Sequence, residues 1–165
     1  MNTGRRHESL IPLSREHQYG LLVCLRIHRG MENHKADLDW LSERAEKVIR
    51  FFESDLTKHF EAKEEIVFRA MSGIEEAGAT IEELVGEHRN LARLVDQLRR
   101  HEGLKLAPLL HEFADVLEAH IRKEERILFP CYERNISLKE AGHVKSRILG
   151  VIGSAIKPKD PVLLE

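Results

Sequence analysis

Residues His120 to Pro130 read His-Ile-Arg-Lys-Glu-Glu-Arg-Ile-Leu-Phe-Pro. On a helix, side chains four apart lie one above the other. His120 and Glu124 therefore share a face, in the same apolar arc as Phe113, Val116 and Ile127. An imidazole and a carboxylate on the apolar side of a helix are costly to bury without a partner, and a metal ion is one such partner. A looser copy stands upstream, from His59 to Phe68, reading His-Phe-Glu-Ala-Lys-Glu-Glu-Ile-Val-Phe. Two more histidines follow a shared phrase, Leu-Ser-Arg-Glu-His ending at His17 and Leu-Val-Gly-Glu-His ending at His88. The chain is thus a two-fold internal repeat, not a solenoid. Four imidazoles and two carboxylates meeting inside a helical bundle suit a pair of iron ions. Such mixed nitrogen and oxygen ligation differs from the sulfur-rich sets of structural zinc sites.

The elements that must position these residues can be read in order. Ser14 is placed to cap a first helix to about Arg29, with Gly30 as its stop. That helix carries His17, Leu21, Cys24 and His28 on one face, widened by Leu22 and Leu25. A second helix is expected from about Asp37 to Met71, burying Leu41, Ala45, Val48, Phe52, Leu56, His59 and Ile66, with Trp40 at the stripe's edge. Thr80 and Glu83 make a capping box for a third, reaching about His101 and burying Ile81, Leu84, His88, Leu91, Val95 and Leu98. A fourth starts near Pro108 and is bent or stopped by Pro130. Ser137 and Glu140 cap a short fifth helix ending at Gly150. The tail with Pro158 and Pro161 reads as an extension. No segment shows the alternation of a half-buried strand. Short connections between helices give an all-α, up-down-up-down antiparallel four-helix bundle with a short C-terminal extra helix. The expected division is a bundle over 10–135 and a helical extension and tail over 136–165.

Length and composition set bounds on function. The chain has 165 residues with 42% hydrophobic and 33% charged content, which suits one helical domain. A formal net charge of −2 gives no global field to attract nucleic acid or a membrane surface. No apolar run reaches the length of a membrane span, and no signal peptide is readable after Arg5 and Arg6. The two cysteines, Cys24 and Cys131, form no C-x-x-C pattern and read as isolated buried thiols of a reducing compartment. A cytoplasmic protein is the expectation. The H-E-x-x-H pattern of metalloproteases, paired Glu-x-x-His units, glycine-rich phosphate loops and a nucleophile elbow are all absent. Glu140 to His143 is the single Glu-x-x-His unit.

His17, His59, His88 and His120, with His120-x-x-x-Glu124, the Glu16-His17 and Glu87-His88 pairs and the run from Glu124 to Pro130, resemble the hemerythrin-like or HHE cation-binding domain. The resemblance covers roughly residues 10 to 135. It implies a four-helix bundle with a non-haem, carboxylate-bridged centre of two iron ions, with manganese or zinc as substitutes. It further implies binding or sensing of dioxygen or a related small ligand, or iron handling. Metal ligands on this reading are His17, His59, Glu64, His88, His120 and Glu124; catalytic residues are not assigned, and homodimerisation is left open.

The second helix departs from the family's wording. Its histidine is followed four residues later by Lys63, and Glu64 comes one residue beyond. A residue five along is rotated about 140° from the first, so Glu64 reaches the metal only through a π-bulge; without one, Lys63 points its ammonium at the site. Leu84 stands where an oxygen-carrying hemerythrin has a further histidine, which favours sensing, iron handling or redox chemistry over oxygen carriage. His28 lies about 16 Å along the axis from His17, too far to share its metal. Glu125 reads as part of a solvated face beside Arg122, Lys123 and Arg126. Two other readings stand beside the first: a di-iron redox enzyme acting on peroxide or nitric oxide or in iron-sulfur repair, and a metal-free bundle that binds a partner, motivated by Lys63.

Overall fold

A computed structural model describes residues 5–153, and the described residues are almost wholly helical, with no strand among them. Five rods follow one another: α1 (Ile11–His34), α2 (38–68), α3 (Gly78–Arg100), α4 (106–135) and α5 (Leu138–Ile152). α2 and α4 are continuous but not uniform. α2 contains π-helical turns at Phe52–Leu56 and Lys63–Phe68, and α4 contains one at Glu124–Leu128. Pro158 and Pro161 lie outside the described residues.

Several helix boundaries differ from expectation for identifiable reasons. α1 runs through Gly30, whose missing side chain is a packing feature: a Cβ there would meet the Trp40 ring at 1.9 Å. Ser14 lies inside α1 and donates to the Glu125 carboxylate at 2.7 Å, while Pro12 sits in the first turn, where a missing N–H costs nothing. Asp37 does cap α2, accepting from the backbone of Asp39 and Trp40. Thr80 and Glu83 form no capping box, because a 3₁₀ turn at Glu75–Ala77 feeds α3 from Gly78. Pro130 neither stops nor breaks α4, which continues to Asn135; a π-turn at Glu124–Leu128 comes just before it. Ser137 and Glu140 form the expected capping box.

α4 packs along α1 and α3, α2 packs on α3 and α4, and α5 lies on α2 over residues 57–68. The apolar side chains fall into two clusters. One holds Val23, Ile27, Val48, Phe51, Leu91, Val95, Phe113 and Leu117; the other holds Leu13, Ile66, Phe68, Leu84, Leu128, Phe129, Val144 and Ile148. Between them the buried polar residues His17, His59, Lys63, His88, His120 and Glu124 form a layer. The π-turns shift the helical phase, so Phe51 is buried in place of Phe52, and Ile127 is turned out, 54% exposed. Leu22 and Leu25 also face solvent.

Candidate metal centre

Each imidazole of the layer is held by a carboxylate on its outer nitrogen. His17 Nδ1 lies 2.6 Å from Glu125, His59 Nδ1 2.9 Å from Glu16, His88 Nδ1 2.7 Å from Glu64 and His120 Nδ1 2.7 Å from Glu87. An ionised carboxylate only accepts, so all four Nδ1 atoms carry the proton, and in the neutral ring that tautomer presents the Nε2 lone pair inward. Burial disfavours charge on Glu125 and Glu87. Hydrogen bonds from His17 and Ser14 to the first, and from His120 and Lys123 to the second, outweigh burial and hold both carboxyls below their ordinary value.

The inward nitrogens converge in pairs. His17 Nε2 and His59 Nε2 are 3.0 Å apart; His88 Nε2 and His120 Nε2 are 3.2 Å apart. Glu124 lies between the pairs, fully buried, with Oε1 2.6 Å from His120 Nε2 and Oε2 3.2 Å from His17 Nε2. Burial opposes its charge, but the Lys63 charge keeps its carboxyl well below the usual range. Burial, reinforced by the Lys63 charge, pushes His59 well below its ordinary value and His88 down to about 2. Phe129 stacks on His17 at 5.5 Å and Phe68 on His88 at 6.0 Å, closing the layer on the α5 side.

These contacts repeat the sequence duplication residue by residue. His17 matches His88, Glu16 matches Glu87, His59 matches His120, Glu64 matches Glu125 and Phe68 matches Phe129. The duplication breaks at Lys63, which stands against Glu124, and at Phe60, which stacks on His88 at 4.0 Å and stands against Ile121. Lys63 is completely buried, its Nζ 2.5 Å from Glu124 Oε1 and 3.0 Å from His120 Nε2, with the Phe60 ring 5.1 Å away.

The structure places Glu64 away from the inward nitrogens. A π-turn does form, but it begins at Lys63, after a regular turn whose N–H of Lys63 bonds the His59 carbonyl. The four-residue register from His59 is kept, so Lys63 faces inward and Glu64 turns to the outer nitrogen of His88. Glu125 is likewise no solvated face residue, since it holds His17. The duplication itself was the signal for these roles: Glu16 and Glu87, Glu64 and Glu125 stand at matched places in the two halves. His28 joins His111 and Asp115 in a separate surface cluster, its Nε2 3.3 Å from Asp115. Cys24 and Cys131 are free and buried, and burial, aided by Glu118, pushes the Cys24 thiol up to about 12, which leaves no thiolate to ligate.

Two donor sets follow from these positions: His17, His59 and Glu124, and His88, His120 and Glu124, the ligand atoms of each lying within 4.8 Å of one another. The first fits a cation. Its two lone pairs face each other across 3.0 Å, and Glu124 Oε2 is buried without a hydrogen bond. That separation is what two donors about 2.1 Å from one ion subtend at a right angle. In the second set Lys63 already donates to Glu124 and His120. Beside the layer, a cavity of about 10 Å³ is lined by His17, His59, Lys63 and His120 and walled by Tyr19, Phe51, Leu56, Leu117 and Ile121. It has room for a guest about the size of one water molecule.

The depressed histidines give the protein a defined acid response. Both His59 and His88 bind protons less readily when folded than the ordinary value of 6.5. Below that pH the unfolded chain takes up protons the folded chain refuses, so stability falls on acidification, by up to about 1.4 kcal/mol per pH unit for each histidine. The carboxyl of Glu124, held down in the fold, acts in the same direction below 4.5. Urea midpoints of chelator-treated protein should fall steadily from pH 7 to pH 5; a flat profile would contradict this.

Comparison with known proteins agrees with the geometry. A DNA nickase from Nostoc sp. (strain PCC 7120 / SAG 25.82 / UTEX 2576) is 29% identical over 104 residues, 60% of this chain and 29% of that protein, so the chain spans under a third of that relative's length. No solved structure matches. No described helix is long and apolar enough to cross a membrane. The family model for the hemerythrin HHE cation binding domain matches residues 12–135, which include all four inward histidines, Lys63 and Glu124, and the chain belongs to that family.

Proposed function

We propose that this protein is a cytoplasmic non-haem iron-binding protein that binds or senses dioxygen or a similarly small ligand, or handles iron. The rods on this reading form an up-down-up-down antiparallel four-helix bundle, with α5 as the extra helix. The observation that carries it is the convergence of the His17 and His59 lone pairs on a buried Glu124 oxygen that has no hydrogen bond. Iron bound there would supply a redox-active Lewis acid with positions open to a small ligand, and nitrogen and oxygen donors also admit manganese or zinc.

The chain's own residues do the rest. Glu16 and Glu125 fix the tautomer and ring orientation of His59 and His17, leaving Nε2 free to ligate. The walls of Tyr19, Phe51, Leu56, Leu117 and Ile121 exclude bulk water and restrict the guest to a few atoms. Nothing in the residues around the cavity favours turnover over binding. The activity in the name of the Nostoc relative is not carried over, since the chain spans under a third of that protein.

A second reading, a metal-free partner-binding module, is favoured by one observation: the Lys63–Glu124 pair satisfies part of the centre without any metal. Purified protein reconstituted with ferrous iron under nitrogen separates the two. Retained iron, with a visible absorption band that changes on admission of air and is lost in His59→Ala, supports the first; no retained metal supports the second.

A further inference from the structure

The two-fold repeat makes one position conspicuous. The four outer carboxylates and the Phe68 and Phe129 rings on the inward histidines have like partners across the halves, but Lys63 stands where the match to Glu124 would be. A second carboxylate there would complete a site at His88 and His120. Instead a primary ammonium sits in that half, fully buried, with Nζ 2.5 Å from Glu124 Oε1 and 3.0 Å from His120 Nε2. An ammonium is a compact unit charge with three donors and no lone pair. It does for His120 and Glu124 Oε1 what a metal does: it places positive charge between donors that would otherwise repel. It also keeps a second dication away, because it occupies the ground and adds like charge a few ångströms from it. The other half has no such substitute. There the His17 and His59 nitrogens face each other, and Glu124 Oε2 is left without a hydrogen bond.

We propose that the Lys63 ammonium takes the place of a second cation, so that the centre is built for one metal ion, held by His17, His59 and Glu124. The inference rests on the iron reading above and deepens it: the centre is mononuclear, and the two halves of a symmetric scaffold do different work. His17 and His59 ligate. His120 holds the lysine, with His88 beside it, and Glu124 is shared between metal and ammonium. The pair expected from the family likeness becomes one ion and one fixed organic cation.

Metal counting on the full-length chain tests this. Ferrous iron is added in excess under nitrogen, unbound metal is removed, and iron per chain is measured by plasma mass spectrometry, with electron paramagnetic resonance after oxidation. One ion per chain is expected, giving a mononuclear high-spin ferric signal. His17→Ala should lose it, and His88→Ala should keep it with affinity within about threefold. Lys63→Glu, which restores the two-fold match, should raise the content to two ions and quench the signal by coupling between them. Two ions per chain in the unaltered protein, or equal loss in His17→Ala and His88→Ala, would overturn the inference while leaving the iron reading intact. No iron in the unaltered protein would overturn the iron reading itself. Circular dichroism shows whether each variant folds, and the His17 and His88 comparison stands even if Lys63→Glu does not.

Discussion

Lys63→Met lowers the stability of the metal-free protein by about 3–5 kcal/mol, the usual cost of removing one partner from a buried ion pair. Methionine fills much of the same volume without the ammonium, so packing against Phe60 and the helix interior changes little. What changes is charge. Glu124 is fully buried, its Oε2 already lacks a hydrogen bond, and its Oε1 then loses the Lys63 ammonium. His120 Nε2 loses a donor at the same time. Because the cost comes from the stranded carboxylate and not from the loss of an attraction, neutralising that carboxylate should relieve it. The Lys63→Met, Glu124→Gln double variant should recover at least half of the loss, since the amide can donate to His120 and carries no charge. Urea unfolding of chelator-treated protein measures the cycle. A single-variant loss under about 1 kcal/mol, or a double variant as unstable as the sum of its parts, would show that the pair does not govern the centre.

The same residues show how far the sequence could be read. Helical periodicity located the rods and placed His17, His59, His88 and His120 on their buried faces, because a period near 3.6 residues is set by local geometry that side-chain order records directly. Lys63 was legible as the departure from the repeat, but the expected ligand set gave the inward place to Glu64. The roles of Glu64 and Glu125 were not legible, because they depend on what stands across the layer: Glu125 on α4 serves His17 on α1, and Glu64 on α2 serves His88 on α3. Spacing along one helix holds no information on a partner from another. A π-turn was legible only as one option beside Lys63, and its exact start was not, for a related reason. The π-turns are a tertiary compromise at Phe52–Leu56, Lys63–Phe68 and Glu124–Leu128, and their effect shows in which side chains change face, as Phe51, Phe52 and Ile127 do. Ser14 and Gly30 misled because each resembles a helix boundary signal while serving a contact, with Glu125 in one case and Trp40 in the other.

Ending the chain after Ile136 removes α5, and the truncated protein is expected to lose about 5 kcal/mol or more, a large part of the 5–15 kcal/mol that holds a typical domain together. The family match ends at residue 135, yet α5 lies directly on the stretch of α2 that carries His59 and Lys63. Ala141, Val144 and Ile148 are buried there, and the latter two join Ala62, Ile66 and Phe68 in the apolar cluster that closes one side of the histidine layer. Burying a valine or isoleucine side chain is worth roughly 1.5–3 kcal/mol, and removing α5 also uncovers the α2 surface beneath it. The π-turn at Lys63–Phe68 should feel this most, since it lies under the removed helix. Ile148→Ala isolates the packing from the truncation and should cost about 2–5 kcal/mol by the same route. Thermal and urea unfolding of the two variants, with iron content measured alongside, decides it. A truncated chain within about 1 kcal/mol of the full one would mean that α5 rests on the bundle without supporting it. A fall in stability with a parallel fall in iron binding would show that this helix, outside the matched family segment, holds the α2 side of the metal centre in place.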